Sequence, residues 1–264
     1  MKSYVKTAYS DIVAGLDDWR VWSMLAANDI RRRYRRSRIG QFWLTISMGV
    51  TIVSLGILYS RILGTDPSSY LPYVAVTFVV WGFISSNLLE SCTSFNEGEG
   101  ILRHMYMPRS LFVCRTIARN VVVLGHNAII IPLTFLYFAK GPTMQLAWIV
   151  VGIALLVLNL FWMGLILSII AIRFRDVPQI VASVTQLLFF VTPVIYQPEH
   201  LQGAARLVIY LNPFASMLEV VRDPLLGIAP SKLALAICTT MAVVGFAVAL
   251  PFFGRYSKRV VYWL

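Results

Sequence analysis

Long apolar runs with almost no charge recur along the chain at 41–60, 72–92, 120–139, 146–172, 179–196 and 233–253. At 1.5 Å rise per residue, about 20 apolar residues cross a hydrocarbon core about 30 Å thick. The pattern predicts an all-α integral membrane protein with six transmembrane helices. Before the first run, Ile12, Leu16, Trp19, Trp22, Ala26 and Ile30 recur every three or four positions, with Asp17, Asp18 and Arg20 off that face. This is one face of a helix. Tryptophan on the apolar side predicts an amphipathic helix lying in the membrane interface, although a soluble helix packed on a partner would show the same polarity. The expected organisation is a cytoplasmic amphipathic and basic segment at 1–39 followed by a transmembrane domain at 40–264.

The breaks between runs carry more information than the runs. Residues 96–109, Asn-Glu-Gly-Glu-Gly-Ile-Leu-Arg-His-Met-Tyr-Met-Pro-Arg, form the longest charge-bearing break in the first half. Residues 198–231 are long for a loop and still hold apolar runs at 207–211 and 214–218. Asn212-Pro213 has the form of an N-cap followed by proline at the first helical position, which predicts short helices meeting at a turn. A re-entrant or surface-lying hairpin fits where the backbone is packed in protein. A seventh span is the competitor; it would bury Asn212, Glu219, Arg222 and Asp223 and move the C-terminal tail outside.

Polar positions inside the runs are few. Asn87, Glu90, Ser91 and Ser94 fall at i, i+3, i+4 and i+7 on one helical face, so they face protein or water, as a conduit lining or as a hydrogen-bonded seam between helices. His126 is expected to be hydrogen-bonded in a core, and Pro132 to kink its helix.

Charge sets the sidedness. The chain is 58% hydrophobic and 13% charged, with a formal net charge of +11 and a mean hydropathy of +0.72. For six spans, 18 of the 23 lysines and arginines fall on the side of the termini and five on the other, which places both termini in the cytoplasm. No apolar stretch with a cleavage site precedes the basic N-terminal region, so no secretory signal is expected. Arg31, Arg32, Arg33, Arg35, Arg36 and Arg38 immediately precede the first span. Basic residues beside spans suit anionic lipid headgroups, not nucleic acid. Arg33, Arg35, Arg36 and Arg38 are also candidates for contact with a phosphate-bearing substrate, through guanidinium forks.

Chemistry of the chain's own is sparse. Cys92, Cys114 and Cys238 are scattered, as are His104, His126 and His200, so no metal site is expected. No G-x-x-x-x-G-K-[ST] and no GxGxxG occurs, so neither a bound cofactor nor nucleotide hydrolysis by this chain is expected. Glu90 alone is thin provision for a proton-coupled carrier. Asp17-Asp18 is the only adjacent acidic pair, and an interfacial helix explains it. The chain therefore reads as a non-enzyme that draws energy from outside itself.

Five stretches in order, Arg-Tyr-Arg-Arg-Ser-Arg-Ile-Gly-Gln-Phe-Trp at 33–43, Ile-Leu-Arg-His-Met-Tyr-Met-Pro-Arg at 101–109, Phe-Arg-Asp-Val at 174–177, Thr-Pro-Val-Ile-Tyr at 192–196 and Leu-Asn-Pro-Phe at 211–214, resemble the permease subunit of ABC-2 type exporters. Within that family the chain is most similar to the polysaccharide branch that exports O-antigen, capsule or teichoic acid. The resemblance implies a homodimer in the bacterial inner membrane, joined to two copies of a separate ATPase that uses ATP and Mg. The substrate would be a polyprenyl-pyrophosphate-linked glycan. It also implies that the N-terminal helix and residues 96–109 contact the ATPase, with Glu97, Glu99, Arg103, His104, Tyr106, Pro108 and Arg109 as coupling residues. The hairpin, with Asn212, Pro213 and Phe214, would form an outer gate. The chain departs from the family pattern at His104-Met105, where a second basic residue is common, and in carrying Gly98 and Gly100. Because sugars stack on aromatic faces, Phe42, Trp43, Tyr59, Tyr73, Trp81, Phe189, Phe190 and Tyr196 form the pool for a conduit lining, with packing or an interfacial belt as the other reading. A permease for a small hydrophobic compound and a membrane enzyme of lipid-linked sugar metabolism stay open as alternatives.

Overall fold

The computed structural model describes residues 2–35, 39–40, 42–139, 141–198, 203 and 209–264, the side chains of Lys2 and Leu63 excepted. Arg36, Arg38 and most of the first half of the 198–231 hairpin lie outside the described residues. The described residues are helical, without strands.

The N-terminal segment forms two helices, α1 (Lys2–Asp17) and α2 (Trp19–Tyr34), where a single helix was expected. The break falls at Asp18. Ile12, Val21, Trp22 and Leu25 pack on a buried cluster of the bundle, while Leu16 and Trp19 are exposed. After α3 (Phe42–Leu63), Asp66 accepts a hydrogen bond from the Ser68 amide and Pro67 sits in the first turn of α4 (Pro67–Ser91). This cap starts α4 five residues before its apolar run. Two single turns follow, α5 (Ser94–Glu97) and α6 (Glu99–Leu102).

The third run begins ten residues earlier than the hydropathy pattern predicts, as α7 (Ser110–Asn127). Arg115 and Arg119 are consequently inside a helix and 7% and 3% exposed, not in a loop. The chain then breaks at Ala128 and Ile129 before α8 (Ile130–Tyr137). Pro132 is the cause, since it has no N–H for the carbonyl four residues earlier. A 3₁₀ turn at Met144–Ala147 leads into α9 (Trp148–Arg173). α10 (Val177–Val191) stops earlier than predicted. The extended Thr192 (φ −87°, ψ 140°) precedes Pro193, and a residue before proline is driven out of the helical region. α11 (Pro213–Leu225) and α12 (Lys232–Tyr256) follow, with a final turn, α13 (Val260–Trp263).

Among the described residues five helical stretches are long and apolar enough to cross a membrane: Phe42–Ile62, Pro67–Ser91, Ser110–Tyr137, Met144–Arg173 and Lys232–Trp263. The remaining predicted span, α10, has 15 residues, about 22 Å of helix. α4 is the most buried of the five spans and is contacted by α3, α7, α8, α9, α10 and α11. Its Tyr70-to-Leu88 face forms a core with α9 and α11. A second cluster joins α1, α5, α7, α9 and α12. At Gly254 in α12, a Cβ would overlap the Tyr4 carbonyl oxygen, so glycine is what lets α1 lie directly on α12.

Candidate coupling site

Residues 96–109 have two faces. Phe95 and Leu102 are buried anchors, and the Phe95 ring meets Phe112 edge-on at 6.4 Å. A Cβ on Gly98 would overlap the Phe112 ring, so the glycine between the two turns is required by the ring beneath it. Outward, Glu99 and Arg103 form an i,i+4 ion pair of 2.7 Å with both side chains about half exposed. Arg103 also donates to the Leu264 carbonyl. His104 and Met105 are exposed, and Tyr106 is 91% exposed beneath the Arg109 guanidinium, 5.0 Å from its ring centre. Pro108 is half-buried.

The segment ends under control of α1. Asp11 accepts from the backbone amides of Arg109 (3.0 Å) and Ser110 (2.9 Å), and the Ser110 hydroxyl donates to the Asp11 carbonyl at 2.8 Å. These amides are the orphan donors of the first turn of α7, and the carboxylate that caps them comes from another helix.

Behind the outward face lies a network of six charges, three of each sign. Arg115 holds Asp29 of α2 in a two-bonded fork, Nε to Oδ2 at 2.7 Å and the terminal nitrogen to Oδ1 at 2.6 Å. Arg119 reaches Asp29 at 3.1 Å, Glu90 at 2.9 Å and Glu97 at 2.7 Å. Glu90 also accepts from Asn120 at 3.0 Å and from Arg33 at 3.1 Å. One buried guanidinium thus ties α2, the end of α4 and α5 to α7. Charges this deep are tolerated only when paired and hydrogen-bonded. Burial pushes the Asp29 carboxyl upward, but the Arg115 and Arg119 guanidiniums outweigh it and hold it below the usual carboxylate value.

The structure therefore gathers Glu90, Glu97 and Arg33 into one place, and leaves Glu99, Arg103, His104 and Tyr106 on its surface. Asp11, Asp29, Arg115 and Arg119 were missed as site residues. The two arginines were counted only as topology markers, although their i,i+4 spacing puts them on one helical face. Asn87, Ser91 and Ser94 are buried within the chain at 1%, 1% and 2% exposure. Asn87 donates to the Phe83 carbonyl one turn back in α4, and Ser94, at the start of α5, donates to the carbonyl of Ser91 at the end of α4. Glu90 also borders a cavity of about 330 Å³ between α3, α4 and α7, with Ser47, Thr51, Ser86 and Asn127 on its walls. Arg35 is exposed at the end of α2.

Of the aromatic pool, Phe42 and Trp43 are more than half exposed. Phe189 packs against Phe78 (5.7 Å) and Trp81 (6.1 Å); Phe190 is exposed and Tyr59 half-buried. His126 is half-buried, its Nδ1 2.8 Å from the Val122 carbonyl oxygen and its ring 6.0 Å from Phe42.

The other end of α4 is built differently. The Tyr73 hydroxyl lies 2.7 Å from the Pro193 carbonyl oxygen and 2.8 Å from that of Tyr196. Tyr70 donates to Ile195, and Thr77 to Val194 at 2.9 Å. Arg222 of α11, 5% exposed, donates to Tyr73 at 3.3 Å, stacks on its ring at 5.3 Å and pairs with Asp223 at 2.7 Å. Asn212 caps α11 through the Phe214 amide at 3.0 Å, as its pairing with Pro213 predicts, and donates to Thr192 at 2.9 Å. The non-helical backbone of residues 193–196 is thereby satisfied by side chains of α4.

Known proteins resemble the chain over most of its length. Residues 20–226 match the family model described as ABC-2 type transporter. An O-antigen export system permease protein RfbA of Klebsiella pneumoniae is 25% identical over 206 residues, 76% of this chain and 78% of that protein. A permease of the same name from Myxococcus xanthus is 20% identical over 196 residues, 74% of this chain and 75% of that protein. With the family model covering most of its length, the chain belongs to the ABC-2 type transporters, as a multi-pass membrane permease.

Proposed function

We propose that this chain is the membrane-spanning subunit of an ATP-driven exporter of a lipid-linked polysaccharide of the O-antigen kind, working as a homodimer with two copies of a separate ABC ATPase. The observation that carries the reading is the two-faced segment 96–109. Its exposed side, Glu99, Arg103, His104 and Tyr106, would meet the partner, and its inner side reaches α2, α4 and α7 through Glu97 and Arg119. A push on the segment therefore has a charged path into the bundle.

Six crossings of the bacterial inner membrane are taken from the six apolar runs, and for six crossings the basic-residue asymmetry favours both termini in the cytoplasm. α10 supports the sixth, since it starts next to the cytoplasmic end of α9, and residues 193–196 after it bond near the opposite end of α4. Along α10, Ile180, Val184, Leu187 and Val191 form an exposed apolar row, which suits a seam with the second copy. Arg33 and Arg35 would meet the pyrophosphate, Phe42, Trp43 and Tyr59 the glycan, and α11 with residues 192–198 would make the outer gate.

The test joins export to ATPase binding. In a strain dependent on this chain, Arg103→Glu with Tyr106→Ala should keep the permease in the membrane, lose copurification of the ATPase and stop glycan export. Undiminished export by that double variant overturns the coupling role. The glycan that accumulates in the cytoplasm of a deletion strain identifies the substrate, and accumulation of none overturns glycan export.

A further inference from the structure

A groove of about 880 Å³ runs between the α1–α2 pair and the bundle, within the roughly 300–1,000 Å³ usual for small-molecule sites. Leu16, Ala26, Ala118, Val121, Phe161 and Phe246 are among its walls. Ser23 and Arg31 are its polar exceptions, together with the edge of Trp22 and the thiol of Cys114, and the Ser23 hydroxyl is already engaged by the Arg20 carbonyl at 3.1 Å. Apolar cavities as small as about 150 Å³ already take up apolar ligands.

Two features specify an occupant. Arg31 stands at the mouth in the last turn of α2, at the start of the basic run, and forms no ion pair among the described residues. The far wall is made by Val157 and Phe246, close to the middles of α9 and α12. The groove thus runs from the basic interface to the depth of mid-bilayer, the reach of one leaflet.

We propose that this groove binds one anionic phospholipid of the leaflet next to the basic run, its phosphate on Arg31 and its acyl chains along the wall from Ala118 to Phe246. The lipid is a wedge between the N-terminal helices and the bundle, on the far side of α7 from the 330 Å³ cavity. A polyprenyl chain, several times longer than a leaflet is deep, does not fit the depth.

Native mass spectrometry of the full-length chain with its ATPase, in micelles doped with equal phosphatidylglycerol and phosphatidylcholine, tests this. The expected result is one phosphatidylglycerol retained, roughly fivefold over phosphatidylcholine, as one arginine–headgroup contact supplies. Arg31→Gln should abolish the preference and leave neutral lipid bound. Val121→Trp, at a position exposed on the groove wall, should remove both lipids without changing the melting temperature; Ala118→Phe serves if that variant is unstable. Phosphatidylglycerol retained by the filled-groove variants, equal retention of the two lipids by the wild type, or no retained lipid each overturns the proposal. Displacement of phosphatidylglycerol by an added polyprenyl phosphate overturns the phospholipid assignment.

Discussion

The two ends of α4 are held by opposite kinds of chemistry. At the Tyr70 end, hydroxyls donate to the carbonyls of residues 193–196, and one arginine supports them. At the Glu90 end, three guanidiniums and three carboxylates from four helices share one site. Neutral hydrogen bonds to backbone are directional and fix a non-helical segment in one shape. A balanced charge cluster has several partners of similar distance, so its members can exchange without leaving a bare charge. The first end suits a fixed frame for the hairpin, and the second suits a joint that moves with residues 96–109.

The largest effect should come from removing the hub of the joint. Arg119→Ala strands Glu90 and Glu97 without their main partner and leaves Asp29 on Arg115 alone, a loss of about 3–5 kcal/mol. Little folded protein should be recovered from membranes, as size-exclusion chromatography in detergent would show. A near-normal yield would mean that the six charges act as separate pairs and not as a network.

Tyr73→Phe probes the frame. It removes the donor shared by the Pro193 and Tyr196 carbonyls and the acceptor of Arg222. About 1–3 kcal/mol should be lost for the groups left unsatisfied. Thermal unfolding should shift downward, and limited proteolysis should cut faster at residues 192–198 while cleavage at 96–109 stays as in the wild type. Protection of 192–198 equal to that of the wild type removes the frame role.

Asp11→Ala takes the cap from α7 and the latch between α1 and residue 109, and should cost about 1 kcal/mol. Asp29 gives the same region a pH signature. Because its folded value lies below the unfolded value near 3.8, its contribution is complete above that pH and is lost as pH falls through the lower folded value. Acid unfolding should therefore steepen below pH 3.8 in the wild type and lose that component in Asp29→Asn. Superimposable acid profiles would show that Asp29 does not carry it.

The helices and the Asn212 cap were legible in advance, and so was half of the joint, Arg33, Glu90 and Glu97; their partners Asp29, Arg115 and Arg119 were not. Apolar run length marks helices because the bilayer demands it, and Asn212-Pro213 marks a helix start because the cap needs only local geometry. Arg115 and Arg119 defeated the same reasoning. Read one residue at a time, a guanidinium ends a membrane helix; read with Asp29 and Glu90, 86 and 29 residues away in sequence, it begins one. Partners that far apart leave no periodic trace. The stripe of Asn87, Ser91 and Ser94 is ambiguous in sequence for a related reason, since it looks alike whether water or another helix covers it.

The smallest structural effect is expected where the functional one is greatest. Glu99 and Arg103 are half-exposed and paired within one turn, so Glu99→Gln should cost only about 0.3–0.5 kcal/mol. Stability then leaves the pair free to serve an outside contact. In the assembled transporter, Glu99→Gln should leave melting and ATPase copurification near wild type while export per ATP hydrolysed falls severalfold. In Glu97→Gln the same fall should come with a lower melting temperature, because Glu97 binds Arg119 at 2.7 Å. If the two variants instead lose stability and export together, the segment has one face, not two.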